Sequence, residues 1–169
     1  MKVLMTAISL FAATSVIISG GTAAAQTGMD GSYIGAGIAA GATSGGQGND
    51  DALFGGNVQA RYAIPQTPIS ARGAVLFGGD ATAIMPMLTI DSAIADNTNL
   101  YFGAGYSWIT NEGNNTPLGN RNAAVITLGA ESEISERLIV YGDAKWGINA
   151  YENSSADAVS FQTGVGYRF

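Results

Sequence analysis

The sequence predicts an all-β fold: an eight-stranded antiparallel up-and-down transmembrane β-barrel. Three observations predict it. Eight stretches of about ten residues alternate between apolar and small or polar positions, the period of two that belongs to strands. After the first 25 residues no stretch is apolar enough to cross a bilayer as a helix, so strands must make any crossing. The large aromatics of the apolar face sort to the two ends of these stretches, with Leu, Ile, Val and Ala between them. Two such girdles mark a barrel that spans lipid.

The first stretch, Ser32–Ala42, sets Ile34, Ala36 and Ile38 against Tyr33, Gly35 and Gly37. The second, Ala52–Ala63, sets Phe54, Val58, Ala60 and Tyr62 against Gly55, Asn57, Gln59 and Arg61. The segment Ile64–Pro68 reads as a short turn, because its two prolines cannot donate to a ladder. Ile69–Gly78 opposes Ile69, Ala71, Val75 and Phe77 to Arg72, Ala74 and Leu76. In the fourth stretch Leu88 and Ile90 oppose Met87, Thr89 and Asp91. Pro86 removes a ladder donor there, so this strand is expected to begin near Met87 or to carry a bulge.

The fifth stretch, Leu100–Ile109, alternates most cleanly: Leu100, Phe102, Ala104, Tyr106 and Trp108 against Tyr101, Gly103, Gly105 and Ser107. A long loop, Thr110–Arg121, follows. The sixth, Asn122–Glu133, opposes Ala124, Ile126, Leu128 and Ala130 to Val125, Thr127, Gly129 and Glu131. After a tight turn, the seventh opposes Leu138, Val140, Ala144 and Trp146 to Ile139, Tyr141, Asp143 and Lys145. The eighth puts Phe161, Thr163, Val165, Tyr167 and Phe169 on one parity and Gln162, Gly164, Gly166 and Arg168 on the other.

Two arguments place the apolar face outside, against lipid. The other face is mostly Gly, Ala, Ser and Thr, too poor in charge for a water-exposed surface. A narrow lumen needs small residues, and its charges must find opposite partners. Arg61, Arg72, Asp91, Glu131, Asp143, Lys145 and Arg168 are therefore expected to form a polar ion-pair network inside the barrel. With the strands run up and down, Phe54, Phe77, Trp108, Trp146 and Phe161 fall near the upper ends. Tyr62, Phe102, Tyr167 and Phe169 fall near the lower ends, and together these nine are the expected membrane girdles. Lower turns are short and three of the four upper loops longer, as in outer-membrane barrels.

Residues 1–25 carry Lys2, an apolar run from Val3 to Ile18 and a small-residue site ending at Ala25, which predicts a cleaved signal peptide. Residues 26–169 would then be a single barrel domain. The chain has neither Cys nor His, and only 7 Lys and Arg against 13 Asp and Glu. Disulfides and a lipidated cysteine are excluded, and a nucleic-acid partner would need clusters of basic residues.

The whole segment after residue 25 resembles the small eight-stranded outer-membrane barrels of Gram-negative bacteria: the OmpA transmembrane domain, OmpX and the opacity-type porin-like proteins. The carriers are GSYIGAGIAAG in the first strand, LIVYGDAKWG in the seventh and the terminal GVGYRF. The resemblance implies a location in the outer membrane, with lipid and lipopolysaccharide around the barrel. It also implies that Val165, Tyr167 and Phe169 are the signal read by the outer-membrane assembly machinery. The absence of a cell-wall-binding domain after the barrel points to single-domain members, and a closed barrel needs no partner to satisfy its backbone, so a monomer is expected.

No catalytic residues are expected. Without His or Cys a Ser–His or thiol mechanism has no base or nucleophile, and Glu131, Asp143 and Asp91 are better read as balancing the lumenal cations. No cofactor is expected and no metal either, Gly48–Asp51 lacking the spacing of a calcium loop. The expected function is that of a porin-like barrel with at most narrow conductance, the lumenal glycines (Gly35, Gly37, Gly103, Gly105, Gly164 and Gly166) leaving room for water. The alternatives are a closed barrel with a structural or adhesin-like surface role and a soluble periplasmic lipocalin-like carrier. The acidic upper loops oppose direct binding of polyanionic sugars.

Overall fold

The structure is a computed structural model and describes residues 28–45 and 53–169. The expected signal peptide and the Gly48–Asp51 segment lie outside the described residues. Eight strands follow one another: β1 (Tyr33–Gly41), β2 (Phe54–Ala63), β3 (Ile69–Gly78), β4 (Ala81–Ala95), β5 (Thr98–Ile109), β6 (Ala123–Ser135), β7 (Leu138–Ile148) and β8 (Ala158–Arg168). Each pairs antiparallel with its sequence neighbour, and β1 also pairs with β8, so the sheet closes into a barrel. Closure leaves no sheet edge, which a strand surrounded by hydrocarbon requires.

The period of two translates directly into two surfaces. Outward residues such as Ile34, Leu88, Phe102 and Val165 are exposed, while Tyr33, Arg72, Tyr101 and Lys145 on the opposite parity are buried. The end of the barrel that receives residues 28–32 is the lower end. It carries the turns after β2, β4 and β6, the last two of only two residues. The upper end carries the longer connections after β1, β5 and β7 and a two-residue hairpin, Gly79–Asp80, after β3.

The fourth strand differs from the sequence expectation. It begins at Ala81 and runs straight through Pro86, with no bulge at that residue. Pro86 pairs with Gly73 of β3. On the β5 side the pairing stops after Ile84 with Trp108 and resumes at Met87 with Gly105 in the same register. The missing N–H thus opens the ladder locally without shifting it. The one register shift between these strands lies lower, between Ala93 and Ala95.

Candidate functional site

The lumen gathers most of the buried charge among the described residues, and it divides into two layers. The lower layer is built around two arginines. Arg72 on β3 meets Glu131 on β6 through two parallel bonds, Nη1–Oε2 at 2.8 Å and Nη2–Oε1 at 2.9 Å. Its Nη2 also reaches Asp91 at 3.2 Å, and its guanidinium lies 3.7 Å from the Tyr101 ring centre. Arg61 on β2 contacts Asp91 at 2.6 Å and Glu131 at 3.3 Å. Two cations and two carboxylates close a neutral quartet, the arrangement a buried charge needs.

Neutral groups complete it. Ser70 donates to Asp91 at 2.5 Å, Arg72 Nε donates to Thr89 at 2.9 Å, and Thr89 in turn donates to Asp91 at 2.9 Å. The Tyr33 hydroxyl donates to Glu131 at 3.0 Å and accepts from Arg72 and Gln59. A second pair sits beside the quartet: Lys145 and Asp143 at 2.5 Å, with Tyr101 donating to Asp143 at 2.8 Å. Gln59 spans both groups, donating to Tyr33 and accepting from Lys145 at 3.5 Å. Six of the seven residues expected in the ion-pair network therefore meet.

Arg168 does not join them. Its side chain is 35% exposed and pairs with Glu133 at the lower mouth. It stands at the end of β8, where the strand leaves the lumen, so parity alone overstates its burial.

The chain entering β1 closes this end. Met29 is buried, its N–H donating to Asn99 at 3.1 Å and its carbonyl accepting from Asn99 at 2.8 Å. Arg61 holds the same segment through the carbonyls of Met29 and Gly31.

Above the network apolar side chains fill much of the lumen, with Asn57, Ser107, Ser160 and Gln162 also buried in its wall. Leu76, Met85, Met87, Val125, Ile109 and Leu118 form one buried cluster with Ala74, Ala83 and Tyr151. Leu118 comes from the β5–β6 loop, which folds over the mouth. Thr116 shapes its tip by donating to the Gly119 carbonyl at 2.6 Å and accepting from Leu118 N–H.

The lumenal glycines do not hold space for water. A Cβ on Gly164 would strike the Tyr141 hydroxyl, and one on Gly129 would lie 2.6 Å from that of Tyr101. Gly35 and Gly166 seat Tyr141 and Tyr33 in the same way, while Gly37, Gly103 and Gly105 lie against backbone carbonyls of the adjacent strand. Alternation places these three tyrosines on the lumenal face, but the expected network is confined to charged residues. The signal that finds them is that Tyr33, Tyr101 and Tyr141 share the parity of the lumenal charges.

All nine expected girdle residues face outward, from Phe77 at 46% exposed to Phe169 at 76%. The three residues of the expected assembly signal, Val165, Tyr167 and Phe169, lie on the outer face of β8 and beyond it, with Phe169 N–H bonded to Ser32. Arg137 donates to the Tyr167 hydroxyl at 2.8 Å. Among the described residues no group of His, Cys, Asp or Glu is arranged to hold a metal ion.

A closed antiparallel barrel, apolar outside between aromatic rims and charged within, is a transmembrane barrel of the outer-membrane type. Comparison with known families agrees. Residues 9–169 match the outer membrane protein β-barrel domain, and the chain belongs to that family. No curated protein sequence matches it. Among solved structures, Neisserial surface protein A is similar at a TM-score of 0.60 and 14% identity, over 83% of this chain and 98% of that one. Ail, the attachment invasion locus protein of Yersinia pestis, gives 0.56 and 17%, over 83% and 100%. A product of the de novo design of transmembrane β-barrels gives 0.58 and 13%, over 82% and 96%. At these identities the likeness is one of fold.

Proposed function

We propose that the protein is a closed, non-conducting barrel of the Gram-negative outer membrane whose work is done at its loop surface. The observation that carries this reading is the apolar cluster packed into the upper lumen, with Leu76, Met85 and Leu118 all fully buried. A porin-like role needs a continuous polar path. An ion entering this layer would lose its hydration with no charge there to replace it, at a cost of several kcal/mol. The neutral quartet below and the Met29 segment oppose passage as well.

The chain acts without catalysis in this reading, since each lumenal carboxylate is engaged by a cation and none is left to activate water. It reaches the outer membrane after export and cleavage of its signal peptide, and sits there as a monomer. Lipid and lipopolysaccharide contact the aromatic girdles, and the assembly machinery reads β8 through Val165, Tyr167 and Phe169. Ail has been crystallised with the heparin analogue sucrose octasulfate. A polyanion is a poor ligand for this chain, because the described upper end carries Asp80, Glu112, Glu152 and Asp157 against Arg121 alone.

Planar-bilayer recording tests the reading. Protein whose folding is verified by a gel mobility that changes on boiling should insert without discrete current steps. Reproducible steps that change in Arg72→Ala or Asp143→Ala would replace this reading with a narrow pore.

A further inference from the structure

We propose that the upper end carries a binding site for a compact zwitterion, its amine held by Glu152 and its anionic group by Arg121. This rests on the reading of the loop end as the working surface and names the ligand class that surface takes.

The two residues line an open cleft of about 310 Å³ between the β5–β6 and β7–β8 loops, together with Asn153. That volume is at the small end of ligand pockets, which span roughly 300–1,000 Å³. The walls are fixed from behind. The N–H groups of Asn120 and Arg121 both donate to the Ala150 carbonyl at 3.0 Å, and Glu152 N–H donates to Asn120 Oδ1 at 2.8 Å. Ala150 and Asn120 are buried, so both charged residues hang from one buried strut. Gly113, at φ 87°, clears the space in front of the Glu152 carboxylate, where a Cβ would lie 3.0 Å from Oε2. Asn153 holds a left-handed backbone at φ 56° beside it.

The charges decide the ligand. Arg121 and Glu152 face the same cleft yet form no ion pair within 4.0 Å, and neither side chain has another partner among the described residues. The other charges of these two loops are engaged: Glu112 accepts from Asn122, and Asp157 accepts from Asn149 N–H. A simple anion would meet one attractive and one repulsive wall, and so would a simple cation. A molecule carrying both charges a few bonds apart is attracted by both walls. The planar guanidinium suits a carboxylate or a phosphate, and a carboxylate suits a primary amine. A free α-amino acid and a phosphoethanolamine headgroup both have this chemistry.

The test is a titration of amide chemical shifts of the folded barrel in an uncharged maltoside detergent. The probes are phosphoethanolamine, glycine, inorganic phosphate and ethanolamine. At least one zwitterion should shift the amides of Gly113, Arg121 and Glu152 saturably, and bind roughly tenfold or more tighter than phosphate or ethanolamine. Preference for phosphoethanolamine assigns the site to a headgroup, and preference for glycine to free amino acids. Arg121→Gln and Glu152→Gln should each weaken the preferred zwitterion roughly tenfold, and Glu152→Gln should strengthen phosphate by removing the repelling wall. No saturable shift with either zwitterion, equal binding of phosphate alone, or binding unchanged in both variants would overturn the site. Those results would leave the closed barrel untouched, since bilayer silence decides that separately.

Discussion

Glu131 is the residue on which the lumen turns: it takes both arms of Arg72, a contact from Arg61 and a hydrogen bond from Tyr33. Replacing it by Ala leaves two guanidinium groups facing a single carboxylate in a buried site. Stranding a buried charge in this way costs about 3–5 kcal/mol. Glu131→Ala should therefore lower the urea midpoint of the folded barrel strongly. Glu112→Ala in the exposed loop should change the stability by less than about 0.5 kcal/mol and leave the midpoint nearly in place. Equal midpoints for Glu131→Ala and the unaltered chain would mean that the quartet holds nothing together. The sequence made the members of this network readable, because alternation assigns each charge to the inner face. It did not make the partners readable: Arg72 and Glu131 are 59 positions apart and meet across the barrel, which depends on the register of strands between them. Arg168 fails for a related reason, since parity says which way a side chain points and nothing about how near the rim it lies.

At the scale of the element, the strands themselves were almost wholly legible, and β3 runs over the very residues its alternation marks. The exceptions are at places where a local rule competes with the sheet. Pro86 reads as a strand breaker, but β4 has a complete partner in β3 on one side, and the cost falls on two pairs with β5. The last strand carries the prediction at this scale. Its outer face presents Val165, Tyr167 and Phe169 in every second position, half or more exposed, beside the closing seam with β1. Phe169 adds a large apolar ring there while its side chain packs little, so Phe169→Ala should leave the folded barrel's stability within about 1 kcal/mol. If the assembly machinery reads this face, the same variant should insert several times more slowly into proteoliposomes that contain the machinery. It should insert at the normal rate into thin-bilayer vesicles without it. Equal slowing in both would reduce the residue to a lipid anchor, and no slowing in either would remove it from assembly.

For the whole molecule, the apolar cluster, the charged network and the Met29 segment follow one another along the lumen, and this is what the sequence concealed most. Leu76, Met85, Met87 and Val125 share the parity of Arg72 and Glu131, so a face judged by its average looks polar although a buried apolar cluster occupies much of its upper half. The layers separate only when strand heights are known, and the loop residue Leu118 joins them only when the β5–β6 loop folds inward. Closure of the lumen is testable without recording any current, because the chain contains no cysteine and each introduced thiol is alone. Met85→Cys should resist a small charged thiol reagent supplied to both mouths, since Met85 is fully buried. Asp80→Cys on the upper hairpin and Asn97→Cys on a lower turn should react at once, both positions being exposed. Boiling should bring all three to the same extent of labelling, which separates protection by the fold from poor reactivity of the thiol. A Met85→Cys thiol that reacts as fast as the two controls while the barrel stays folded would mean that water and ions reach mid-lumen. The apolar layer would then be permeable, and the narrow pore would regain its case. Protection by orders of magnitude would leave the loop surface as the part of the molecule that meets its surroundings.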